Sequence, residues 1–464
     1  MKPTLSFYGG AGTVTGSKYL LDTGKTRLLI DAGLFQGLKK LRLLNWREPP
    51  FDIGSIDALL LTHAHIDHGG YLPRLVRLGF SSPVYTTPAS RDLAKLLLMD
   101  AAKIQEEDAR YANKKKYSKH RPALPLYTAE DSEYAHKLMQ PVNFGEWFDA
   151  GTDTRVRFLN MGHILGSAMI EVQIKRDGDP LRIVFSGDVG RYDVPLHSNP
   201  DPLPACDYLV VESTYGDRNH NHAPVEEQIR EALIRCIRRG GTALIPAFAV
   251  GRTQLVTLSL RQLINAGKLP DVPIHIDSPM AVNATELYSD HIADSSLDSA
   301  LTDDGRSRLF PSNVHFSRTV KESKALNKMP GPRIVISASG MLTAGRVLHH
   351  LKRLLPDPKN LVMLVGYQAA GTRGRKMLEG GDTVKIHGQH VPVRAEFIPL
   401  GGLSAHADRD ELLRWVRSGP KAPDTVFVTH GEEDSQNAFA KLLQKELGCR
   451  THTPKLDQTF TLDL

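Results

Sequence analysis

The sequence predicts an α/β protein in which one domain interrupts another. Along its 464 residues, short apolar stretches typical of buried strands alternate with longer stretches of helical periodicity. Beyond Glu212 the alternation becomes regular, as in a doubly wound parallel sheet, and after about Phe397 short turns that carry histidine return. We therefore expect a first domain segment at 1–213, an insert at 214–395 and a final segment of the first domain at 396–464.

The individual elements follow from the spacing of the apolar residues. Runs rich in β-branched residues predict ten strands, at 26–30, 58–61, 155–159, 169–174, 182–185, 208–211, 242–245, 333–336, 361–365 and 425–428. Helical periodicity predicts seven helices, at 71–78, 91–109, 225–238, 253–265, 343–354, 408–416 and 435–447. The amino terminus predicts a further short strand and a hairpin turn, because its glycines fit neither dinucleotide-binding nor P-loop spacing: Gly9, Gly10, Gly12 and Gly16.

Composition and charge exclude several classes of protein. The hydrophobic fraction of 41% is ordinary for a globular protein, and no window approaches the run of about 18 apolar residues that a membrane span needs. The net charge of +6 is mild, so it permits a polyanionic partner without requiring one. Because Cys206, Cys236 and Cys449 are far apart, we expect no disulfide framework, and we expect a cytoplasmic protein with no membrane association.

The strongest chemical signal is a set of four metal-binding side chains within six residues. His63, His65, Asp67 and His68 directly follow an apolar strand, and Gly69–Gly70 is expected to form the turn where that strand ends. Because residues two apart on an extended segment point the same way, the first two histidines can face one metal while the last two ligands face another. Imidazole and carboxylate without thiolate favour catalytic zinc over manganese or iron.

Further potential ligands stand at other predicted strand ends or in short turns. His163, Asp188, His406 and His430 each occupy such a position. Taken singly, each is more often a turn residue, a cap or a satisfied polar group. Together they supply the extra donors that a two-metal site requires, and strand ends in an α/β layer converge on one edge.

These residues and their order resemble the metallo-β-lactamase superfamily and its β-CASP nuclease branch. The resemblance covers essentially the whole chain and is greatest to bacterial and archaeal relatives of the cleavage and polyadenylation endonuclease subunit. It implies a metallo-β-lactamase αββα sandwich with an inserted β-CASP domain, a parallel sheet flanked by helices. We expect no extra amino-terminal RNA-binding module before Met1, and no long carboxy-terminal extension like that of the 5′-exonuclease relatives after His452. The matching residues are Asp31, His63, His65, Asp67, His68, His163 and Asp188 for the superfamily, and Glu212, His406 and His430 for the branch.

The resemblance also implies a role for each of these residues. His63, His65 and His163 would hold one zinc, and Asp67, His68 and His430 the other, with Mn²⁺ as a possible substitute. Asp188 would bridge the two ions together with a nucleophilic water or hydroxide, and Asp31 would orient a ligand histidine. His406 would contact the phosphate or protonate the leaving oxygen, with Glu212 as its partner; a structural hydrogen bond at the domain junction is the alternative for this pair.

Two glycine-rich loops of the insert predict the substrate. The segments 337–346 and 366–375 each follow a strand and offer backbone amides beside arginine, and both resemble segments that grip RNA phosphates in the family. Tight strand-to-helix turns are the alternative explanation. The basic run at 114–121 is either a lid over a nucleic-acid groove or a solvated loop. The predicted RNA-binding residues are Ser337, Ser339, Arg346, Arg373 and Arg375.

The leading hypothesis is therefore a zinc-dependent ribonuclease that hydrolyses single-stranded RNA to 5′-phosphate and 3′-hydroxyl ends, with endonuclease favoured over 5′-exonuclease. A small ester or thioester hydrolase would not need the long insert, and a catalytically inactive RNA-binding relative would not need the complete ligand set. DNA-directed members of the branch typically carry an apolar residue where this chain has His430. Sequence preference, the RNA target and the oligomeric state, monomer or homodimer, are left open.

Overall fold

The computed structural model describes residues 2–116, 118, 120–220, 225–298, 301, 309, 313–366, 368, 371–400 and 403–463. Strands and helices are numbered in chain order. Parts of two predicted loops lie outside the described residues: Tyr117 and Lys119 of the basic run, and Tyr367, Ala369 and Ala370 of the second glycine-rich segment. Within the described ranges, no helix is both long and apolar enough to cross a membrane.

Two seven-stranded sheets form the first domain. The first sheet has the order β22-β1-β2-β3-β4-β5-β6, and the second has the order β21-β20-β11-β10-β9-β8-β7. The strands of the first sheet are β1 (Thr4–Phe7), β2 (Tyr19–Asp22), β3 (Arg27–Ile30), β4 (Ala58–Leu60), β5 (Val84–Thr86), β6 (Met139–Pro141) and β22 (Gln458–Thr461). Those of the second are β7 (Phe148–Asp149), β8 (Thr154–Asn160), β9 (Ala168–Ile174), β10 (Leu181–Phe185), β11 (Tyr208–Val211), β20 (Thr425–Val428) and β21 (Arg450–His452).

The two sheets pack face to face, and helices cover their outer faces. Phe7 and Leu28 of the first sheet meet Phe158, Ile183 and Phe427 of the second in one buried cluster. Such burial of large apolar side chains is the main favourable term in folding. The flanking helices are α1 (Lys39–Leu44), α2 (Ile66–Gly69), α3 (Leu72–Arg77), α4 (Pro88–Lys115) and α5 (Ala129–Lys137) near the first sheet, and α12 (Arg409–Arg417) and α13 (Glu433–Leu447) against the second. This arrangement is the predicted αββα sandwich.

The insert is built on a separate parallel sheet of order β14-β13-β15-β12-β16-β19, with a two-stranded β17-β18 hairpin beside it. Its strands are β12 (Thr242–Pro246), β13 (Ile274–Ile276), β14 (Val314–Phe316), β15 (Arg333–Ser337), β16 (Leu361–Leu364), β17 (Thr383–Ile386), β18 (Gln389–Pro392) and β19 (Glu396–Pro399). Its helices are α6 (Val225–Arg238), α7 (Arg252–Asn265), α8 (Pro279–Asp290), α9 (Val320–Leu326), α10 (Val347–Leu354) and α11 (Arg373–Leu378).

The structure corrects three details of the sequence analysis. The sheet of the insert continues past residue 395, because β19 pairs with β16 in parallel. The helix predicted at 343–354 begins only at Val347, since the residues before it form the turn that leaves β15. The strand before the metal motif ends at Leu60, and Gly69 closes a helical turn instead of forming the strand's turn.

The amino-terminal glycines form the predicted hairpin, because β1 and β2 pair antiparallel on either side of them. A Cβ at Gly9 would overlap the carbonyl oxygen of Gly16 across this loop. A second close approach joins the loop after β3 to the metal motif, where a Cβ at Gly33 would overlap the carbonyl oxygen of Asp67. The first contact closes the hairpin loop on itself, and the second holds the loop after β3 against the metal motif.

Candidate metal centre and active-site cavity

The predicted metal ligands come together at one edge of the sandwich. The parallel strands β10, β11 and β20 end there, and they present Asp188, Glu212 and His430 in the residues that follow them. His163 reaches the same edge from the loop between β8 and β9. The first sheet contributes the residues after β4, so the two sheets supply ligands from opposite sides.

Four donor atoms form a first compact group. His63 Nε2 lies 3.1 Å from His65 Nδ1, and His163 Nε2 lies 3.2 Å from that same atom. Both Nε2 atoms are 3.4 Å from Asp188 Oδ2. A tetrahedral zinc ion with bonds of about 2.0 to 2.1 Å would separate its donor atoms by about 3.3 to 3.4 Å. The spacing of this group therefore fits a tetrahedrally coordinated ion.

Hydrogen bonds at the opposite ring nitrogens orient two of these histidines. His163 Nδ1 lies 3.2 Å from the carbonyl oxygen of Ala405, which can only accept, so Nε2 is left with a lone pair. His63 Nδ1 lies 3.0 Å from Thr62 Oγ1, and that hydroxyl donates its own hydrogen to Asp31. His63 Nδ1 therefore carries the hydrogen, and His63 Nε2 keeps a lone pair that can bind a cation.

A second donor group consists of Asp67, His68 and His430. The Nε2 atoms of both histidines are buried without a hydrogen-bond partner among the described residues, although His68 Nε2 is 3.1 Å from Asp188 Oδ1. Buried polar atoms are rarely left unsatisfied in native proteins. A divalent ion bound to this group would satisfy both nitrogens, so the residues fit a metal here as well.

The carboxylate of Asp188 lies between the two groups. Its Oδ2 atom faces His63 and His163, whereas its Oδ1 atom lies 2.6 Å from His430 Nδ1 and 3.1 Å from His68 Nε2. Each oxygen of one side chain therefore faces a different donor group. This is the arrangement expected of a carboxylate that bridges two ions.

Asp31 supports the centre from behind. Its Oδ2 atom is 2.7 Å from His68 Nδ1, and its Oδ1 atom accepts hydrogen bonds from the amide and the hydroxyl of Thr62. Asp31 therefore contacts a predicted ligand histidine, and the orienting role that the resemblance implies stays a prediction. Asp31 and His430 both have positive φ angles, 59° and 43°, and such backbone strain in non-glycine residues is concentrated at functional sites.

The three histidines of the first donor group are neutral imidazoles. Burial, with the charge of His68 second, lowers the pKa of His63, and burial lowers the pKa of His65 to about 3. Burial and the nearby His406 lower the pKa of His163 well below its ordinary value. A neutral imidazole has the lone pair that a metal needs.

The two histidines of the second donor group balance the negative charge of the buried carboxylates of Asp188 and Asp31. Burial opposes the charged form of His68, but Asp188 and Asp31 outweigh it and raise its pKa to about 10. The pKa of His430 likewise rises well above its ordinary value, because Asp188 outweighs burial. Burial would raise the pKa of Asp188, yet His430 and His68 lower it well below its usual range. A bound divalent ion would supply the same positive charge in place of these protons.

Glu212 and His406 form a hydrogen-bonded pair at the rim of the centre. His406 Nδ1 lies 3.1 Å from Glu212 Oε1, and Glu212 also accepts from the amides of Val189 and Thr214. The glutamate is fully buried, while the His406 side chain is 18% exposed and lies 3.9 Å from Asp188 Oδ2. Burial lowers the pKa of His406, but Glu212 and Asp188 raise it above its ordinary value. The imidazole can therefore present a proton to a molecule in front of the centre.

A cavity of about 800 Å³ opens in front of both donor groups. One wall is the hairpin loop at 11–15 and the segment at 36–44, and the facing wall belongs to the insert. The wall residues of the insert include Phe248, Gly251, Arg252, Met280 and Ser339. The sequence analysis missed all of these except Ser339. Their only signal was a glycine and an arginine, Gly251 and Arg252, between a predicted strand and a predicted helix.

The predicted RNA-binding serines differ in accessibility. Ser337 is buried, and its hydroxyl donates to the backbone carbonyl of Asp277. Ser339 lines the cavity, and its hydroxyl is 3.0 Å from that of Thr343. Of the five predicted RNA-binding residues, Ser339 is the one that borders the cavity. RNA contact at either serine stays a prediction.

The predicted RNA-binding arginines have partners within the insert. Arg346 Nη1 donates to Asp277 Oδ1 at 2.8 Å, and its two terminal nitrogens also donate to the carbonyls of Ser317 and Arg318. Arg373 donates to backbone carbonyls at Leu342, Thr343 and Lys385, and Arg375 is paired with Glu379. These contacts hold the insert together, and direct RNA binding by the three arginines stays a prediction.

A second depression, the basic groove, lies on the insert around Arg346. It has a volume of about 840 Å³, and no acidic residue is among the described residues that line it. Five cationic residues and two histidines do: Lys324, Lys328, Arg346, Lys352, Arg353, His349 and His387. The groove is therefore a strongly positive surface.

Comparison with known proteins identifies the family. The metallo-β-lactamase superfamily matches residues 11–247, the Beta-Casp domain matches 253–377, and the Zn-dependent metallo-hydrolase RNA specificity domain matches 390–454. The chain belongs to the metallo-β-lactamase superfamily, in its β-CASP branch. This confirms both the predicted family and the predicted fold class.

Several relatives are similar over almost the whole chain. Ribonuclease TTHA0252 of Thermus thermophilus is 38% identical over 440 residues, which cover 94% of this chain and 95% of that protein. The transcription termination factor FttA of Methanocaldococcus jannaschii is 31% identical and covers 97% of this chain and 70% of its own length. An RNase J-like protein of the same organism is also 31% identical, over 97% of each chain.

A solved structure of a protein of unknown function from Enterococcus faecalis V583 shares the fold. The two chains align over their full lengths with a TM-score of 0.54 and 13% sequence identity.

We predict that Asp31→Ala weakens zinc binding by about 10- to 100-fold, because His68 loses the acceptor that orients its ring. Competition with a chromophoric zinc chelator measures the affinity directly, without any catalytic assay. Asp179→Ala, which removes a carboxylate from an exposed loop, is the matched control and should bind zinc as the wild type does. Equal affinities of Asp31→Ala and the wild type would contradict the orienting role.

Proposed function

We propose that this protein is a dinuclear zinc-dependent ribonuclease that hydrolyses single-stranded RNA to 5′-phosphate and 3′-hydroxyl ends. The observation that carries the proposal is the position of Asp188, whose two carboxylate oxygens face two separate donor groups. His63, His65 and His163 would hold one ion, and Asp67, His68 and His430 the other. Manganese could substitute, because the donor set contains only nitrogen and oxygen.

The chemistry that two zinc ions supply when bound is Lewis acidity, which makes a water more acidic and the phosphate less negatively charged. The residues of the chain hold the donor groups together and supply a proton. Asp188 keeps the two donor groups together through its two oxygens. His406, held by Glu212 through Nδ1, directs Nε2 away from that bond and can donate a proton from Nε2 to the leaving 3′-oxygen.

Three observations support RNA as the substrate. The cavity lies between the sandwich and the insert, so a strand could reach the donor groups while its flanks contact the insert. The basic groove offers charge complementarity to a polyanion. The relatives include proteins named as a ribonuclease and as a transcription termination factor, and the last family match is described as an RNA specificity domain. We favour internal cleavage over 5′-exonucleolytic cleavage, as the resemblance to the cleavage and polyadenylation endonuclease implies.

The proposed activity predicts that 5′-labelled and internally labelled single-stranded RNA is cut to fragments with 5′-phosphate and 3′-hydroxyl ends. Ligation and polymerase extension of the fragments identify the ends, and a chelator should abolish cleavage until zinc or manganese is added. Internal fragments that accumulate before mononucleotides would indicate endonuclease activity. Single-stranded DNA of the same sequence serves as the control substrate.

Chelator-resistant cleavage, or fragments that end in 3′-phosphate or 2′,3′-cyclic phosphate, would contradict the proposal, because attack by an activated water with departure of the 3′-oxygen leaves the phosphate on the 5′ side. Faster cleavage of the DNA control would instead favour a DNA-directed nuclease.

We predict that His406→Ala lowers kcat for RNA cleavage by roughly 10² to 10⁴, the usual range for loss of a general acid. Metal content and RNA affinity should change little, because His406 is not part of either donor group. Elemental analysis and fluorescence anisotropy with labelled RNA measure these two quantities. His390→Ala, which removes an exposed histidine of β18, is the control and should cleave as the wild type does. Wild-type turnover by His406→Ala would leave this residue with a purely structural role.

We also predict that the basic groove contributes to RNA affinity through charge. The double variant Lys324→Gln, Lys352→Gln should bind RNA more weakly and reduce the slope of log affinity against log salt by about 1.4, at about 0.7 for each neutralised phosphate contact. These lysines are preferable to Arg346 as targets, because removal of Arg346 would leave the buried Asp277 without its guanidinium partner. The matched control is the double variant Lys441→Gln, Lys445→Gln on α13, which should keep the wild-type salt slope. If the slope is also unchanged in Lys324→Gln, Lys352→Gln, the basic groove does not contact RNA.

A further inference from the structure

Arg252, the first residue of α7, is a buried cation without a counter-charge. It borders the cavity in front of the donor groups and is only 7% exposed. Its Nε atom is enclosed without a hydrogen-bond partner, and the charged or titratable groups that influence its pKa are Tyr215, Tyr288 and Arg191, with no carboxylate among them. These statements hold for the part of the chain that the structure describes.

Other shielded arginines of the insert have hydrogen-bond acceptors within the protein. Arg333 is similarly buried and its Nε also lacks a partner, but its terminal nitrogens donate to the carbonyls of Pro330 and Leu326. Arg346 is paired with Asp277. An isolated guanidinium in a protein interior is unfavourable unless a partner compensates its charge. Burial lowers the pKa of Arg252 only to about 10, so the group is still a cation at neutral pH.

The position of Arg252 points toward a ligand in the cavity. It follows the carboxyl end of β12 and begins a helix of 14 residues, where an α/β sheet commonly binds anions. The preceding residue, Gly251, packs against Ile164, so that a Cβ added there would be 3.0 Å from Ile164 Cγ2, next to the predicted ligand His163. Arg252 also acts electrostatically on Tyr215, whose ring centre is 6.4 Å from that of His406.

We infer that Arg252 binds a backbone phosphate next to the one that is cleaved, and so positions the RNA strand across the metal centre. The inference rests on the proposed ribonuclease function. The cleaved phosphate belongs at the donor groups around Asp188, whereas Arg252 approaches from the insert, which suits a flanking linkage. A planar guanidinium can form two parallel hydrogen bonds to phosphate oxygens, which an ammonium group cannot.

The test combines protein variants with RNAs that lack one charge. A single-stranded RNA with one mapped cleavage site is prepared in versions that each carry one neutral methylphosphonate at a different distance from that site, and kcat/KM is measured for each. Arg252→Gln removes the charge, and Arg252→Lys keeps the charge but not the planar fork. Arg261→Gln, on the same helix but outside the cavity wall, is the charge-matched control.

For the wild type and Arg261→Gln, we expect one flanking methylphosphonate to lower kcat/KM by about tenfold or more. Arg252→Gln should lower kcat/KM for unmodified RNA by a similar factor and should be insensitive to the methylphosphonate at that one linkage. Arg252→Lys should recover only part of the loss. The melting temperature of Arg252→Gln should equal or exceed that of the wild type, because the variant no longer buries an unpaired charge.

Wild-type kcat/KM in Arg252→Gln would overturn the inference, and so would an equal response of this variant and the wild type to every methylphosphonate. A large drop in melting temperature for both Arg252 variants would also overturn it, because it would show that the arginine is needed for the fold. If the wild type cleaves no RNA at all, the proposed function itself fails, and this outcome is recognisable before any variant is compared.

Discussion

The buried carboxylate of Asp188 is the constraint around which the rest of the site is arranged. An unpaired negative charge in the interior is strongly unfavourable, so the chain must bring positive charge or a metal to it. Histidines from both sheets surround this carboxylate, and each of its oxygens faces a different set. Because those histidines lie far apart in the chain, the site can form only when the two sheets pack face to face. Folding and assembly of the site are therefore one event.

Hydrogen bonds around the site orient the histidine rings toward the same centre. Asp31 and Thr62 orient His68 and His63, and the carbonyl of Ala405 orients His163. Each of these partners occupies the nitrogen that faces away from the centre, which leaves the other nitrogen free to bind a cation. The positive φ of Asp31 shows that the backbone is held in an unfavourable conformation where this orientation is set.

The insert forms one wall of the cavity in front of the candidate metal centre. Its sheet presents Arg252 and Ser339 to the cavity from the side opposite the two candidate donor groups. His406 lies where the chain has returned from the insert to the sandwich, after β19 and before α12. Under the proposed function, a long polymer is held on one side and cut on the other, whereas a compact single-domain hydrolase lacks such a surface.

Sequence reasoning reached the fold class and four of the candidate ligands because their signals are local, whereas His163, Asp188 and His430 were indicated only in combination and by the family resemblance. Six residues hold His63 through His68, and strands such as β9 and β20 are apolar enough to stand out. Short strands such as β5 and β13, of three residues each, carry too little pattern to be recognised.

The sequence does not reveal which charged side chains form ion pairs in the folded protein. Arg346 and Arg252 each follow a glycine between a strand and a helix, yet Arg346 is paired with Asp277, whereas Arg252 has no counter-charge among the described residues. Only the packing of α9, α10 and the β13 end around Asp277 distinguishes them.

The central claim is that Asp188 bridges two ions, and anomalous diffraction at the zinc edge from crystals of the zinc-loaded protein tests it most directly. The account predicts two anomalous peaks, one among His63, His65 and His163 and one among Asp67, His68 and His430, with a carboxylate oxygen of Asp188 directed at each. A single peak, or two peaks that Asp188 does not contact, would contradict it.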